Sequence, residues 1–217
     1  EINIGDWSSD VCSSDLPKGL TAATGMDALT HAIESYITPG AWVMSDMFEL
    51  KAIEMIAQNL KAAVDNGKDV AAREAMSQAQ YIAGMGFSNV GLGIVHSMAH
   101  PLGAFYDTPH GVANALLLPY VMEYNAESPA APKYIHIAKA MGVDTTGMSE
   151  AEGVKAAIEA VKALSISINI PQKLHEINVK EEDIPALAVA AFNDVCTGGN
   201  PRPTSVADIE ALYHKAF

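Results

Sequence analysis

Apolar residues recur at helical spacing along almost the whole chain after Pro17. Such recurrence, three and four residues apart, marks one face of an α-helix, and no stretch sustains the period-two alternation of a β-strand between turn residues. Stops and turns such as Pro39-Gly40 and Asn66-Gly67 punctuate the pattern. It predicts an all-α domain with helices at about 21–37, 44–66, 69–85, 92–106, 110–126, 131–141, 149–168, 182–194 and 205–216.

The first residues of the chain do not share this pattern. Their sequence, GDWSSDVCSSDL at 5–16, is polar and serine-rich and has neither a helical nor a strand period. Translated back into codons, its portion DWSSDVCSSDL is compatible with a widely used short-read sequencing adapter. We therefore interpret residues 1–16 as a non-native leader, with an ordinary disordered leader as the alternative, and leave Trp7 and Cys12 out of functional reasoning.

Composition and charge narrow the class of protein. Of 217 residues, 49% are hydrophobic and 18% are charged, which is typical of a globular domain. The 13 basic residues against 26 acidic ones give a net charge of −13, so we expect no nucleic acid partner and no anionic membrane surface. The two cysteines, Cys12 and Cys196, offer no disulfide framework, and no apolar run is long enough for a membrane span. These features favour the cytoplasm.

Asp27 and His31 form the first candidate functional pair, in the segment TGMDALTHAIESYI. Their four-residue spacing puts both side chains on one helix face, about one turn apart, where they can reach a shared ion. Alone the pair is weak evidence for a metal site, because an Asp–His pair on a helix is more often a surface hydrogen bond or a core contact.

The second candidate cluster contains three of the seven histidines, in the segment GIVHSMAHPLGAFYDTPHGVAN. His96 and His100 share a helix face, and a turn at 106–109 brings His110 to the start of the next helix. Their neighbours are apolar, and burying several imidazoles without partners is costly, so a bound metal is the simplest explanation. One carboxylate and several imidazoles suit Fe²⁺ or Zn²⁺, and a closed structural zinc site is disfavoured because no thiolate is nearby.

Between the two clusters lies a glycine-rich segment, GMGFSNVGLG at 84–93. It lacks the spacing of a dinucleotide fingerprint and follows no clear strand, so it predicts a close backbone approach beside the metal instead. Motifs of P-loop enzymes, α/β-hydrolases, zincins and β-lactamases are also missing from the sequence.

Two segments, TAATGMDALTHAIESYI and GLGIVHSMAHPLGAFYDTPHGVANALLLPYVMEYN, resemble the two signatures of iron-containing, group III alcohol dehydrogenases. The resemblance runs from about Pro17 to Phe217. It implies that residues 17–217 are the all-helical metal-binding catalytic domain, of the dehydroquinate synthase-like kind. In this family that domain follows a Rossmann-like N-terminal domain, which we expect to be missing from this chain.

By motif position, the resemblance implies a role for each candidate residue. The expected metal ligands are Asp27, His31, His96 and His110. His100 is expected beside the nicotinamide and the substrate, as a catalytic and cofactor-binding residue. Phe87 and Cys196 are expected to line the substrate pocket. The remaining histidines we interpret as helix-surface residues: His136, His175 and His214.

The implied reaction is hydride transfer between NAD(H) and a small alcohol or aldehyde, such as propanediol or lactaldehyde. The implied metal is Fe²⁺, with Zn²⁺ as an alternative, and NAD(H) would be bound mainly by the missing N-terminal domain. A homodimer is expected for a full-length enzyme, and no activity for this fragment alone. Two alternatives stay open: a catalytically silent metal-binding fragment, and a lyase like the dehydroquinate synthases.

Overall fold

A computed structural model describes residues 16–217, and its regular elements are all helical. The α-helices are α1 (Lys18–Ile37), α2 (Val43–Asp65), α3 (Val70–Val90), α4 (Ile94–Tyr106), α5 (His110–Asn125), α6 (Tyr134–Ala140), α7 (Glu150–Ser167), α8 (Ile184–Phe192) and α9 (Val206–Ala216). Short 3₁₀ turns lie at Ala131–Lys133, Leu174–Ile177, Glu181–Asp183 and Thr197–Gly199. Residues 16–217 contain no strand, which confirms the all-α prediction.

The predicted non-native leader, residues 1–16, lies outside the described residues apart from Leu16, so it stays a prediction. Within the described range, none of the helices combines the length and the apolar character that crossing a lipid bilayer requires.

Helix ends follow local sequence signals. Ser149 and Glu152 form a reciprocal capping box at the start of α7, and Ser205 and Asp208 form another at the start of α9. Asp107 ends α4 in the left-handed conformation, with φ of 51°. Short polar side chains suit both places because they bond to backbone groups that a helix terminus leaves unpaired.

The predicted end of α3 at residue 85 was wrong, because the helix continues to Val90. Interior glycines weaken a helix, which is why the sequence pattern suggested an earlier end. Packing overrides that preference: a Cβ atom at Gly86 would lie 1.9 Å from Glu49 Oε1 on α2, so glycine lets the two helices approach. The helix ends at Gly91, whose positive φ of 81° favours glycine.

Helix α1 is buried along most of its length and packs against α2, α3 and α5. Helix α4 lies between α5 and α8, and Tyr213 of α9 donates a hydrogen bond of 2.6 Å to the carbonyl of Met98 in α4. The chemistry-bearing segments therefore lie on the interior helices α1 and α4 and on the start of α5.

The start of α5 touches α1 backbone to backbone. A Cβ atom at Gly111 would lie 2.3 Å from the carbonyl oxygen of Ala23, far inside van der Waals contact. Glycine at this position therefore allows the approach that brings His110 toward Asp27.

We expect Gly111→Ala to destabilise the fold by about 1–3 kcal/mol, the usual cost of overpacking, because the clash is with rigid backbone. The matched control is Gly84→Ala within α3, where a Cβ atom would meet nothing within 4 Å. That control should stabilise by up to about 1 kcal/mol through helix propensity. Urea midpoints at unchanged m-value measure both changes. Equal effects of the two substitutions would contradict the close approach.

Candidate metal centre

Three helices bring potential metal ligands together: Asp27 from α1, His96 from α4 and His110 from the first position of α5. One donor atom of each residue lies within 4.8 Å of the other two. Asp27 Oδ1 is 3.5 Å from His110 Nε2 and 3.9 Å from His96 Nε2. Donors that each sit about 2.0–2.2 Å from a shared ion have separations of this order.

His31 lies beside this group, one turn after Asp27 on α1. Its Nδ1 is 3.9 Å from Asp27 Oδ2, and its ring centroid is 4.5 Å from that of His96. It also stacks on Phe87, with centroids 4.5 Å apart. The four predicted ligands are therefore neighbours, although His31 is outside the set whose donors all lie within 4.8 Å. The four-ligand assignment stays a prediction.

His96 provides the strongest local indication of a metal. The side chain is almost fully buried, and Nδ1 lies 2.5 Å from Glu34 Oε2. Glu34 Oε1 in turn accepts a hydrogen bond of 2.7 Å from the backbone N–H of Val95. His96 Nε2 has no hydrogen-bond partner among the described residues. Because a buried unsatisfied polar atom costs about 1–3 kcal/mol, an ion facing this nitrogen fits the site.

Two supporting residues were missed by the sequence analysis. Glu34 on α1 orients His96, and a carboxylate on the second nitrogen is the usual partner of a metal-binding imidazole. Asn114, buried on α5, donates a 2.6 Å hydrogen bond from Nδ2 to Asp27 Oδ1 and has the same nitrogen 3.0 Å from His110 Nε2. The sequence did contain one indication of Asn114: it follows His110 by one helical turn, which puts both side chains on the same helix face.

The protonation states of the imidazoles also suit a metal. Burial, followed by the neighbouring His96, lowers the pKa of His31 to about 4, although Asp27 and Glu34 oppose this. Burial likewise lowers the pKa of His110 against the opposing effect of Asp27. Both rings are thus neutral near pH 7, and neutral imidazole is the form that binds a metal.

The three remaining candidates lie around this group. His100 is on the rim, with a side chain 41% exposed and a ring stacked on that of His110 at 5.4 Å. Phe87 lines a cleft of about 1040 Å³ that also reaches Asp27 and His31. Cys196 is not among the residues that line this cleft, and burial, then Asp194, raises the pKa of its thiol to about 12. Such a thiol is a poor nucleophile at neutral pH.

Known proteins resemble this chain over almost all of its described residues. A sequence profile described as "Fe-containing alcohol dehydrogenase family, C-terminal" matches residues 21–217. The chain belongs to this family. Lactaldehyde reductase of Escherichia coli (strain K12) is 59% identical over 202 residues, which are 93% of this chain and 52% of that protein. From the sequence alone, the segments GFSNVGLG and DVCTGGNPR predict this similarity.

Two further relatives show the same coverage. NAD-dependent methanol dehydrogenase of Bacillus methanolicus is 44% identical over 201 residues, again 93% of this chain and 52% of that protein. A crystal structure of 1,3-propanediol oxidoreductase matches with a TM-score of 0.92 at 47% identity, covering 94% of this chain and 53% of that one. The chain thus spans about half the length of these relatives and corresponds to the helical C-terminal domain of the family.

Glu49 on α2 has a buried carboxyl group, and Ser35 connects it to the backbone of His31. Ser35 Oγ is 2.6 Å from Glu49 Oε1 and 2.5 Å from the carbonyl oxygen of His31. One hydroxyl proton cannot be donated to both oxygens, but a protonated Glu49 can donate to Ser35 while Ser35 donates to His31. Burial and, to a smaller extent, the nearby Asp46 raise the pKa of Glu49 to about 8, whereas a hydrogen bond donated by Ser35 to the carboxylate would lower it.

This pKa predicts a pH-dependent stability. With a value of about 4.5 in the unfolded chain and about 8 in the fold, Glu49 binds more protons when folded, so its contribution is lost as the pH rises from about 4.5 to about 8. Glu49→Gln mimics the protonated acid and should reduce this loss, on the order of a few kcal/mol at pH 8. Glu54→Gln, on the same helix but solvent-accessible, is the control. Urea unfolding at several pH values measures the slopes, and an unchanged slope in Glu49→Gln would contradict a protonated Glu49.

Proposed function

We propose that this chain is the metal-binding catalytic half of an NAD(H)-dependent alcohol dehydrogenase or aldehyde reductase that acts on small alcohols or aldehydes, such as propanediol and lactaldehyde. The observation that carries the proposal is the convergence of Asp27, His96 and His110, in which a buried Nε2 of His96 lacks a partner within the described chain. The named activities of the relatives, a lactaldehyde reductase and an NAD-dependent methanol dehydrogenase, support the substrate and cofactor classes.

When bound, a divalent ion, Fe²⁺ or alternatively Zn²⁺, supplies Lewis-acid chemistry at the substrate oxygen, while NAD(H) carries the hydride. The chain's own residues prepare the site for it. Asp27 contributes the negative charge, and Asn114 holds that carboxylate in place. Glu34 keeps the proton of His96 on Nδ1, so that Nε2 is available as a ligand. His31 completes the proposed ligand set, with Phe87 stacked on its ring.

His100 has a different position, and we assign it a different role. Its half-exposed ring is next to His110 on the rim, where it can meet both a substrate hydroxyl and water. We assign it the relay of the hydroxyl proton between substrate and solvent. Cys196 stays a proposed pocket-wall residue on the side of His100, since its backbone N–H bonds to Asp194, which contacts His100.

We place the main binding site for NAD(H) in a separate domain. That domain corresponds to the half of the relatives' sequence that this chain does not match. Within the described residues, the glycine-rich segment 84–93 is mostly the end of α3 rather than a phosphate-binding loop after a strand. Its close approaches are to side chains behind the site: Gly93, for example, would place a Cβ atom 2.8 Å from Glu34 Oε1. A homodimer for the full-length enzyme and a cytoplasmic location remain part of the proposal.

This chain covers about half the length of each relative. That coverage favours a second candidate function, a metal-binding fragment without catalytic activity of its own. A dehydroquinate synthase-like lyase has no comparable support, because the family match is to the alcohol dehydrogenases.

We expect the purified chain to hold about one divalent ion, and to lose it on acidification because protonated imidazoles do not bind metal. The double variant His96→Ala, His110→Ala should lose the ion, whereas the exposed His214→Ala should retain it. Glu34→Gln should weaken the affinity by about 10–100-fold, the usual effect of losing a carboxylate behind a metal-binding histidine. Elemental analysis after anaerobic iron loading measures the stoichiometry, and full occupancy of the double variant would refute the ligand assignment.

A second experiment separates the enzyme from the silent fragment. The isolated chain should not reduce lactaldehyde with NADH, whereas fusion to the N-terminal half of the Escherichia coli relative should restore turnover. In that fusion, His100→Ala should lower turnover by about 10²–10⁴-fold, the range of positioned acid–base groups, while bound metal stays near one equivalent. Robust NADH oxidation by the isolated chain would show that the cofactor site is misplaced. An inactive fusion that binds metal would favour the silent fragment.

A further inference from the structure

His100 is joined to an acidic residue that the proposed reaction has not yet used. Its Nδ1 lies 2.7 Å from Oδ2 of Asp194, in the turn that follows α8. The two residues are far apart in sequence, and the contact forms because α4 packs against α8. Asp194 is the less accessible partner, with 17% of its side chain exposed against 41% for His100.

Asp194 is itself fixed by hydrogen bonds. Its Oδ1 accepts a 2.9 Å bond from the backbone N–H of Cys196 and lies 3.5 Å from Ser97 Oγ. Burial opposes ionisation, but the bonds from Cys196 and His100 outweigh it and lower the pKa of Asp194 below its usual value. An ionised carboxylate only accepts hydrogen bonds, so the proton between the two side chains must be on His100 Nδ1.

We propose that Asp194 is a positioning residue that fixes His100 as its Nδ1–H tautomer and leaves Nε2 as a hydrogen-bond acceptor at the rim of the metal centre. This inference rests on the proposed function, in which His100 relays a hydroxyl proton. In alcohol oxidation the hydroxyl proton passes to Nε2 and then to water, and the hydride passes to NAD⁺. Asp194 keeps its hydrogen bond to Nδ1–H throughout and so holds the ring of His100 in place while the proton passes.

His96 makes the same kind of carboxylate contact at Nδ1, but its Nε2 has different surroundings. Glu34 bonds to Nδ1 of His96 as Asp194 bonds to Nδ1 of His100, so each carboxylate leaves an Nε2 lone pair. The Nε2 of His96 is buried and lies 3.9 Å from Asp27 Oδ1, which suits a metal ligand. His100 is on the same helix one turn later with a half-exposed ring, which suits proton exchange with water.

The fixed orientation of Asp194 makes one substitution decisive. In Asp194→Asn, the N–H of Cys196 still requires an acceptor, so the amide oxygen takes the position of Oδ1. The amide NH₂ group then points at His100 Nδ1, which must accept. His100 is thereby driven to the Nε2–H tautomer and presents a donor at the rim, where the relay needs an acceptor.

Long-range ¹H–¹⁵N NMR reads the tautomer directly in the labelled 217-residue chain. Spectra are recorded without added metal at mildly alkaline pH, at which imidazoles are neutral, and His100→Gln assigns the resonance. The hydrogen bond to Asp194 should shift the tautomer ratio toward Nδ1–H by at least about tenfold relative to free imidazole, the lower end of what a hydrogen bond to a charged group contributes, so that the Nδ1–H form predominates. Asp194→Asn should invert this preference. Asp194→Ala should return it to the Nε2–H preference of free imidazole.

Two controls bracket the result. His175 donates from Nδ1 to the backbone carbonyl of Phe217, so its tautomer should be the same in every variant and reports an intact fold. Asp144→Asn removes an equal charge from an exposed loop and should leave His100 unchanged. His100 retaining the Nδ1–H form in both Asp194 variants, with His175 unchanged, would overturn the inference.

Activity of the fused enzyme separates this inference from the proposed function. There, Asp194→Asn should lower kcat by about 10²-fold or more, as expected for loss of a proton relay, with little change in KM or in bound metal. An active fusion in which Asp194→Asn leaves kcat unchanged would overturn the positioning role alone. A fusion that is inactive even with Asp194 present, although His100 shows the predicted tautomer, would contradict the proposed function and leave the tautomer assignment in place.

Discussion

An almost fully buried imidazole has to satisfy both of its ring nitrogens, and His96 satisfies only one of them within the described chain. Glu34 holds Nδ1, and this directs the other nitrogen, Nε2, toward Asp27. The buried pair joins α4 to α1. The other contacts of the site depend on this one. They either bring further donor atoms close to His96 Nε2 or hold the donor side chains in a form that can bind a metal.

Helix packing provides the remaining donors. Gly111 lets the start of α5 approach the backbone of Ala23, so His110 reaches Asp27. Asn114 then bridges the carboxylate and the imidazole. On the outer side, the turn that follows α8 supplies Asp194 to His100. One helix, α4, thus carries two imidazoles with different surroundings, one buried and one accessible to water.

The sequence predicted the parts of this arrangement that depend on local spacing. Helical periodicity predicted the helices. Four-residue spacing made two pairs candidates for a functional site, Asp27 with His31 and His96 with His100. It failed where distant parts of the chain decide: α3 extends past its glycines because Gly86 packs on Glu49 of another helix. Glu34, Asn114 and Asp194 were missed for the same reason, since each acts through a partner on a different element. Only the fold shows that these polar residues face an imidazole or a carboxylate.

Anomalous diffraction from crystals of the chain grown with Fe²⁺ tests the central claim, that α1, α4 and α5 meet at one metal ion. The account predicts a single strong iron peak about 2.0–2.2 Å from an Asp27 oxygen, from His96 Nε2 and from a ring nitrogen of His110, with His31 as the expected fourth ligand. A peak that involves His100 and Asp194 in place of His96, or no peak between the three helices at full iron loading, would contradict it.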